Sequence, residues 1–414
     1  MKYCIYTLGC KVNKYESDSI LNRLLLSGEE VTTKLEKADV YILNTCAVTN
    51  EAERKSRNVI TKFKKLNPKA KIFVLGCASQ VHPDMFIEKG VHYVAGTANK
   101  MKVIENLTKV KKRKPAVSVI PKEYEDTMIS AQTLTRAYIK VQDGCDNFCS
   151  YCLIPYIRGR SRSRGIISIL NEVGDLPSDI KEIVLVGINL TDYKIDGESA
   201  LFKLLEELDK CGKRIRLSSI EESILTRKFL LQLKKIKNLC HHFHLSMQSG
   251  STGVLSRMNR KYTSKEFLEV VKNIYDIFPK ASITTDVIVG FPGETDDEFS
   301  ETIKTIKAAE FLYMHIFPYS KREGTVAARM KQVNDDVKKS RAATLEKMNK
   351  SLMKKFISKQ KNGVVIVEEF IDGYYVGHTA NFVKCYIESK KDLLGQVVKV
   401  KIKAPYLDGA VAEL

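Results

Sequence analysis

The sequence predicts an α/β protein in three parts: an open α/β sheet domain, then a parallel (β/α) barrel or partial barrel, then a small antiparallel β-barrel. Three observations carry this prediction. Strands and helices alternate in the first 110 residues, a longer alternation starts near Arg136, and the chain closes with short strands punctuated by Gly and Asp. With 414 residues the chain exceeds the size of a single hydrophobic core, so several domains are expected.

The first domain is predicted to cover residues 1–110. Each of its apolar runs is followed by a helix-like stretch, an order that favours parallel strands in one open sheet. The pairs are KYCIYTLG with YESDSILNRLLL, DVYILN with EAERKSRNVITKFKKL, and KIFVLG with HPDMFIEKG. The basic stretch 108–115 (TKVKKRKP) ends in proline, breaks the pattern and is interpreted as a linker.

The second and third domains are predicted at residues 131–361 and 362–414. Six strand-like runs in the second favour a parallel barrel or partial barrel with its function at the carboxyl ends of the strands. They are AYIKVQ, EIVLVG, RIRLSS, HFHLSMQ, SITTDVIVG and YMHIFPYS. A charged helical segment at 335–361 leads to the third domain, a small antiparallel barrel. Its strands are VVIVEEF, GYYVGHT, VKCYIES and QVVKVKIKA.

The chain is strongly basic, with 68 Lys and Arg residues against 49 acidic residues and a net charge of +19. Such a charge attracts polyanions and loses its effect as salt rises, so nucleic acid is the natural partner. A lysine-rich proteome in which all soluble proteins are basic is the alternative explanation.

The sequence predicts a cytoplasmic protein with no membrane segment. No apolar run approaches the roughly 18 residues that a membrane span needs, and MKYCIYTLGCKVN lacks the apolar segment of a signal peptide. In a reducing cytosol the ten cysteines are not expected to form a disulfide framework, so clustered ones indicate metal binding or catalysis.

Cys145, Cys149 and Cys152 form a C-x3-C-x2-C triad in the loop after a predicted strand that ends at Gly144. Three protein thiolates on a 4Fe-4S cluster leave one iron open. That iron can hold the amino and carboxylate groups of S-adenosylmethionine (SAM) for one-electron cleavage to a 5'-deoxyadenosyl radical. The alternatives are small buried hydrophobic residues or a zinc knuckle without a fourth ligand.

Cys10, Cys46 and Cys77 each follow an apolar run of the first domain. If those strands are parallel neighbours, the three thiols lie at the same carboxyl edge and could hold a second cluster with one open iron. Isolated strand-end cysteines are the alternative. The other four are interpreted as ordinary thiols: Cys4, Cys211, Cys240 and Cys385.

Over essentially its full length the chain resembles the radical SAM methylthiotransferases, which join an amino-terminal cluster domain, a radical SAM barrel and a carboxyl-terminal RNA-binding barrel called TRAM. The resemblance rests on TLGCKVNKYES, GCDNFCSYCLIPYIRGRSRSR, RLSSIE, HLSMQSGS, MNRKYT and TTDVIVGFPGET. The first motif is similar to the branch that acts on N6-threonylcarbamoyladenosine in tRNA. The isopentenyladenosine branch typically reads GCQMN and the ribosomal-protein branch GCPKN. Lys14, Glu222 and Thr252 depart from the residues common in the similar branch, which are Gln, Pro and Asp.

The resemblance implies an enzyme that methylthiolates carbon 2 of N6-threonylcarbamoyladenosine next to the anticodon. It implies two 4Fe-4S clusters and two SAM molecules, one for the methyl group and one for the radical that abstracts hydrogen from the adenine ring. The amino-terminal cluster would supply or carry the sulfur. The implied partners are the tRNA anticodon stem-loop, an electron donor and a sulfur source. The implied cluster ligands are Cys10, Cys46, Cys77, Cys145, Cys149 and Cys152.

Polar residues and glycines at the predicted strand ends are expected to contact SAM, although each could instead stabilise a barrel turn. They are Gly187, Ser218, Ser219, Glu221, Gln248, Asp286 and Gly290. Four alternating arginines would share one side of an extended segment and could grip tRNA phosphates, or form a solvated loop that pairs with carboxylates. They are Arg158, Arg160, Arg162 and Arg164. The terminal barrel offers residues that could stack on RNA or fill its core: Tyr374, Tyr375, His378 and Phe382.

Three other functions remain open at this point. A non-catalytic RNA-binding protein would use the cysteines for structural metal, but a closed zinc site normally shows four ligands and each triad has three. An iron-sulfur electron carrier usually closes each cluster with four cysteines and needs no RNA-type barrel. Within the enzyme class, the nearest alternative is the same reaction on N6-isopentenyladenosine.

Overall fold

The computed structural model describes residues 1–47, 49–107, 114–127, 129 and 135–414. Three units follow one another along the chain: a six-stranded sheet, a curved array of parallel strands with helices outside, and a closed five-stranded barrel. The predicted fold class is therefore confirmed. Within the part of the chain that the structure describes, no helix is long and apolar enough to cross a membrane.

The amino-terminal sheet is parallel throughout, with the strand order β2-β1-β3-β4-β5-β6. Its strands are β1 (Lys2–Thr7), β2 (Glu30–Thr32), β3 (Val40–Thr45), β4 (Lys71–Gly76), β5 (Tyr93–Ala95) and β6 (Lys114–Ala116). Its helices are α1 (Lys11–Leu26), α2 (Asn50–Leu66), α3 (Cys77–Val81), α4 (Pro83–Glu88) and α5 (Lys102–Asn106). The three predicted strands are β1, β3 and β4. Of the predicted linker, residues 108–113 lie outside the described residues, and Lys114 and Pro115 belong to β6 rather than to a linker.

The central unit places its six main strand positions side by side in chain order, as a partial barrel. Strands β13 and β14 occupy one position of this array. The hydrogen-bonded ladder is interrupted between them, at Ser218. Its strands are β7 (Arg136–Lys140), β8 (Gln142–Asp143), β9 (Arg162–Ser163), β10 (Glu182–Val186), β11 (Lys194–Ile195), β12 (Glu198–Ser199), β13 (Arg214–Leu217), β14 (Ser219–Ile220), β15 (His242–Gln248), β16 (Ser282–Val289) and β17 (Tyr313–Pro318).

The helices of the central unit cover the outer face of the array, and most main strands are followed by at least one. They are α6 (Ile154–Ile157), α7 (Ile166–Gly174), α8 (Leu201–Asp209), α9 (Arg227–Leu233), α10 (Thr252–Arg257), α11 (Ser264–Ile277), α12 (Asp296–Ala309) and α13 (Asp335–Ser358). Helices α11 and α12 both begin with a capping box, in which a threonine hydroxyl and a glutamate three residues later satisfy each other's backbone N–H groups. The apolar faces of these helices and of the strands form one continuous core.

The carboxyl-terminal unit is a closed barrel with the order β18-β19-β20-β22-β21. Its strands are β18 (Asn362–Ile371), β19 (Tyr374–Thr379), β20 (Lys384–Ile387), β21 (Val397–Tyr406) and β22 (Gly409–Glu413). The predicted antiparallel arrangement is wrong for one pair, because β20 and β22 run parallel. Five strands in a ring cannot all alternate in direction, so closure requires at least one parallel pair.

The terminal barrel closes the amino-terminal end of the strand array. Arg216 of β13 forms an ion pair with Glu182 at 2.7 Å and donates hydrogen bonds to the backbone carbonyls of Thr379 and Ala380. The ring of Phe382 stacks on His242, with 4.4 Å between the ring centroids, and lies 4.8 Å from the Arg216 guanidinium carbon. Phe382 adopts a φ of 64°, so its backbone takes a strained conformation to place this ring.

A buried ion network joins the amino-terminal sheet to the partial barrel. Arg158, which is 1% exposed, donates hydrogen bonds to Glu16 at 2.9 Å and to Asp143 at 3.0 Å. Lys140 contacts the same two carboxylates at 3.0 Å and 2.6 Å, and Lys100 also forms an ion pair with Glu16. Arg162 also lies 3.7 Å from Asp143, so four cations surround two carboxylates. Arg158, Lys100 and Lys140 hold the pKa of Glu16 well below its usual range despite burial.

We predict that Arg158→Met destabilises the fold by about 3–5 kcal/mol, because it leaves buried carboxylates without their main partner. The free energy of unfolding in urea measures this effect. Arg160→Met is the matched control, since the Arg160 side chain is 71% exposed, and it should change stability by no more than about 0.5 kcal/mol. An equal effect of the two substitutions would contradict the structural role of the network.

Candidate active site

The amino-terminal cysteines lie at one edge of the first sheet. Thr45 of β3 pairs with Gly76 of β4, so Cys46 and Cys77 leave the sheet at the same level. Cys10 follows β1, the other neighbour of β3, and caps the start of α1. Cys46 and Cys77 are buried and Cys10 is exposed. The parallel order thus brings the three predicted cysteines to one edge.

Gly9 makes room for this arrangement. Its φ is 108°, a conformation that glycine adopts easily, and a Cβ atom there would lie 3.2 Å from the Cys46 Sγ. The loop between β1 and α1 therefore passes close over Cys46. Burial raises the pKa of Cys77, whereas the positive charges of Arg158 and Lys100 act in the opposite direction.

The second cysteine triad occupies the loop between β8 and α6, whose base is closed by the antiparallel pairing of β8 with β9. Gly144 has a φ of 74°, and a Cβ atom there would lie 2.0 Å from the Arg160 carbonyl oxygen, so only glycine fits. The backbone N–H of Cys152 donates to the Cys149 carbonyl at 3.0 Å, which turns the loop back on itself. The Arg260 guanidinium lies 3.6 Å from the Cys149 Sγ.

Burial, with a smaller contribution from the neighbouring Cys149, raises the pKa of Cys145 to about 11 and that of Cys152 to about 12. These thiols are therefore protonated at neutral pH in the absence of a cation, and iron binding would release their protons. Within the described residues, no three His, Cys, Asp or Glu side chains lie close enough together to hold a single metal ion. A cubane cluster binds each thiolate through a different iron, and a set of three thiols matches its preferred donors.

A cavity of about 760 Å³ lies where the three units meet. A volume of this size suits a nucleoside or a comparable small molecule. Cys10 lies in its wall, as do four of the residues predicted to contact SAM: Gly187, Ser218, Ser219 and Asp286. The terminal barrel contributes His378, Phe382, Val383, Lys384, Asp408 and Gly409. The cavity thus runs from the first cysteine edge into the interior of the partial barrel.

The other three residues predicted to contact SAM are not among the described lining residues. Glu221 accepts hydrogen bonds from Asn147, in the second cysteine loop, at 2.8 Å and from Arg260 at 2.7 Å, so it lies beside that triad. Gln248 ends β15 with a φ of 62°. Gly290 packs against α13, where a Cβ atom would lie 2.3 Å from the Lys338 side chain.

Four histidines line the cavity: His242, His244, His315 and His378. Of these, only His378 was singled out from the sequence, as a residue of the terminal barrel that could stack on RNA or fill its core. The Thr284 hydroxyl lies between His242 and His244, at 2.8 Å and 2.9 Å, and His244 lies 3.3 Å from Asp286. Burial lowers the pKa of His242, His315 and His378, which favours their neutral forms. The sequence could have revealed His242 and His244, because residues two apart in a strand lie on the same face of the sheet.

Lys11, the neighbour of Cys10, also lines the cavity. Solvent reaches its side chain through the cavity, although protein surrounds it. Burial lowers its pKa, and the positive charges of Arg216 and Arg136 lower it further. Among the residues that the structure describes, Lys11 has no hydrogen-bond or ion-pair partner for its ammonium group.

The prediction that four alternating arginines face tRNA together is wrong. The side chains of Arg158 and Arg164 are fully buried, and Arg164 pairs with Glu172 and with Asp126 at 2.8 Å. Arg162 is nearly buried and donates to the Arg158 carbonyl at 2.8 Å. Of the four, Arg160 alone is exposed, and its guanidinium lies over the Phe148 ring at 4.4 Å.

Models of two protein families match this chain. The Radical SAM superfamily matches residues 139–306, which include the second cysteine triad, and the Uncharacterized protein family UPF0004 matches residues 2–96, which include the first. Together they cover five of the six described strands of the amino-terminal sheet, β1 to β5, and most of the partial barrel.

Curated relatives align with the whole chain. The threonylcarbamoyladenosine tRNA methylthiotransferase of Bacillus subtilis (strain 168) is 40% identical, over 98% of this chain and 95% of its own length. The protein of the same name from Aquifex aeolicus (strain VF5) is 37% identical, over 97% and 100%. The tRNA-2-methylthio-N(6)-dimethylallyladenosine synthase of Hydrogenobaculum sp. (strain Y04AAS1) is 35% identical, over the full length of both chains.

Solved structures share the fold. The radical S-adenosylmethionine methyltransferase TsrM from Kitasatospora setae, with cobalamin and a [4Fe-4S] cluster bound, has a TM-score of 0.55 at 13% identity, over 79% of this chain and 74% of its own. At that identity the similarity concerns the fold alone.

Glu222, one of the departures from the family motif, gives a testable pH dependence. Burial raises the pKa of Glu222 to about 7, repulsion from Glu221 adds to this effect, and attraction by Arg260 opposes it. Because the folded-state pKa lies above that of the unfolded chain, the wild type loses stability as pH rises from about 4.5 to about 7. Glu222→Gln should therefore be more stable than the wild type by about 3 kcal/mol at about pH 8, and much less so near pH 4.5.

Urea unfolding of both proteins at the two pH values measures this difference. The control is Glu269→Gln, at an exposed position of α11, which should give the same small difference at both pH values. A Glu222→Gln effect that does not change with pH would show that the carboxyl group is not held neutral in the folded protein.

Proposed function

The chain belongs to the radical SAM methylthiotransferase family, and from that premise we propose that its substrate is N6-threonylcarbamoyladenosine next to the anticodon of tRNA. Membership of the family, together with the tRNA-modifying activity named for its full-length relatives, makes the chain a tRNA-modifying enzyme that uses SAM and a 4Fe-4S cluster. The observation that carries the choice of substrate is the full-length identity of 40% with a relative of that named activity. Isopentenyladenosine is the second candidate, because relatives named for dimethylallyladenosine also align over the full chain.

We further propose that two clusters are held, one at each cysteine triad. Cys145, Cys149 and Cys152 would hold the cluster that binds and cleaves SAM, and the three amino-terminal cysteines would hold the one that carries sulfur. When bound, these groups would supply the radical that removes hydrogen from carbon 2 of adenine, and the sulfur and methyl groups that replace it. The support is positional, since both triads follow strand ends and Cys10 lies in the cavity wall. Glu221, two residues after the lining residue Ser219, lies beside the second triad.

The chain's own residues would bind and orient the reactants. Gly187, Ser218, Ser219 and Asp286 are placed in the cavity wall, where they can contact the sugar and amino acid parts of SAM. Three predicted SAM contacts are not among the described residues that line the cavity: Glu221, Gln248 and Gly290. Of these, Glu221 would act beside the second cysteine loop, where it accepts hydrogen bonds from Asn147 and Arg260. Walls from all three units restrict the access of water to a reacting base.

The proposed partners are a tRNA anticodon stem-loop, an electron donor and a sulfur source. The net charge of +19 supports the first of these, because it favours association with a polyanion. Arg160, exposed beside the second cysteine loop, is the one arginine of its segment able to contact a phosphate there.

The substrate is tested by nucleoside mass spectrometry. Cells that make N6-threonylcarbamoyladenosine and isopentenyladenosine in tRNA, but lack both methylthiotransferases, would be given this gene. We expect the 2-methylthio derivative of the threonylcarbamoyl nucleoside to appear, and the isopentenyl nucleoside to stay unmodified. A product only on the isopentenyl nucleoside would overturn the proposed substrate.

The two triads are tested by separating two products. Cys149→Ala should abolish both 5'-deoxyadenosine formation and methylthiolation, because SAM loses the cluster that reduces it. Cys46→Ala should keep reductive SAM cleavage and lose only the methylthio product. Each protein would be reconstituted without oxygen and its iron counted, with about eight irons expected per wild-type chain and about four per variant.

Cys211→Ala is the matched control, because this exposed cysteine lies outside both triads, and it should retain the iron and both products. Methylthiolation at the wild-type rate by Cys46→Ala would remove the amino-terminal cluster from the mechanism.

A further inference from the structure

The charged side chains around the cavity have partners among the described residues, with the exception of one lysine. Lys384 forms an ion pair with Asp408 at 3.0 Å, and Arg216, beneath Phe382, is engaged by Glu182. Asp286 has His244 at 3.3 Å. The Lys11 ammonium lines the cavity and has no hydrogen-bond or ion-pair partner among the described residues. A ligand group with a negative charge could therefore pair with it.

The position of Lys11 also fixes which part of a substrate it can meet. Lys11 directly follows Cys10, at the edge where the three amino-terminal cysteines lie. Carbon 2 and the N6 amine of adenine share one edge of the ring, with only N1 and carbon 6 between them. If carbon 2 faces the sulfur site, the N6 substituent must lie beside the same loop. Of the two candidate substituents, threonylcarbamoyl carries a carboxylate and isopentenyl carries no charge.

We propose that Lys11 selects the substrate by pairing its ammonium group with the carboxylate of the threonyl group on N6 of the target adenosine. This inference deepens the proposed function and rests on it. A hydrogen bond between two charged groups is stronger than one between neutral groups, and its loss leaves both charges without a partner. The same ammonium would disfavour an apolar substituent, because its burial against hydrocarbon costs solvation.

The test is a double-mutant cycle between protein and RNA. Two synthetic anticodon stem-loops carry N6-threonylcarbamoyladenosine or the same nucleoside with its carboxylate converted to a primary amide. The reconstituted full-length wild type should bind the acid RNA about tenfold or more tighter than the amide RNA, and should methylthiolate it with a correspondingly higher kcat/KM. Lys11→Met should remove this preference in both measurements, and Lys11→Arg should keep most of it.

Lys14→Met is the matched control. Lys14 lies one turn further along α1 and already forms an ion pair with Asp18 at 2.6 Å, so its loss should leave the preference for the acid RNA unchanged. An unmodified stem-loop reports phosphate contacts alone and should bind equally to the wild type and to Lys11→Met. Iron content and circular dichroism identify a variant that has lost its cluster or its fold, in which case Lys11→Gln is used in its place.

The outcomes separate the two proposals. A Lys11→Met protein that keeps the wild-type preference for the acid RNA overturns the role of Lys11 and leaves the proposed substrate intact. A wild type that modifies the acid RNA and the amide RNA equally well would also overturn the role of Lys11 and leave the proposed substrate intact. A wild type that modifies an isopentenyladenosine stem-loop and not the threonylcarbamoyl one overturns the proposed function, and this inference with it.

Discussion

The buried network around Arg158 is the contact on which the placement of the two cysteine triads depends. Arg158 follows the second triad by six residues, Asp143 precedes it by two, and Glu16 lies on the helix that Cys10 begins. One guanidinium therefore ties both loops together, and Asn13 adds a hydrogen bond to it at 2.7 Å. Buried charges are costly to separate once paired, so the network resists relative movement of the sheet and the barrel. Under the proposed mechanism, sulfur carried at the first triad must reach a base that is activated by a radical made at the second, and this transfer needs a fixed geometry.

Much of the fold followed from periodicity and from the order of elements. The long predicted strands β1, β3, β4 and the six barrel positions were confirmed, because buried parallel strands are continuous apolar runs. The missed strands β2, β5 and β6 have three residues each, too few for a period to be visible. The five-residue β22 was missed as well, since only four strands were predicted for the terminal barrel. The parallel pair β20 and β22 was missed for another reason, since it follows from closing a ring of five strands and leaves no trace in either strand.

In the candidate site, the sequence could predict the positions of residues that are placed by their neighbours along the chain, but not of residues that are placed by contacts remote in sequence. The two triads could be located because a cysteine directly after a strand has a known place in a parallel sheet. The arginines after the second triad were misplaced because their partners are remote in sequence. Arg158 meets Glu16, 142 residues away, and an alternating pattern alone cannot distinguish a charge that faces water from one that faces a buried carboxylate. His242 and His244 were missed for a different reason. Their spacing in HFH places both on one face of β15, but no recognised motif drew attention to them.

The ring of Phe382 limits which terminal barrels could replace the one found here. The terminal barrel supplies part of the cavity wall, and its aromatic ring sits between His242 and the Arg216 guanidinium of the central unit. A chimera that took its last fifty or so residues from a distant relative would keep a closed terminal barrel. It would lose the fit of this ring unless the donor barrel offered a flat side chain at the same strained position. Exchange of the terminal unit is therefore limited by its contacts with the start of the strand array rather than by the short connection at residues 359–361.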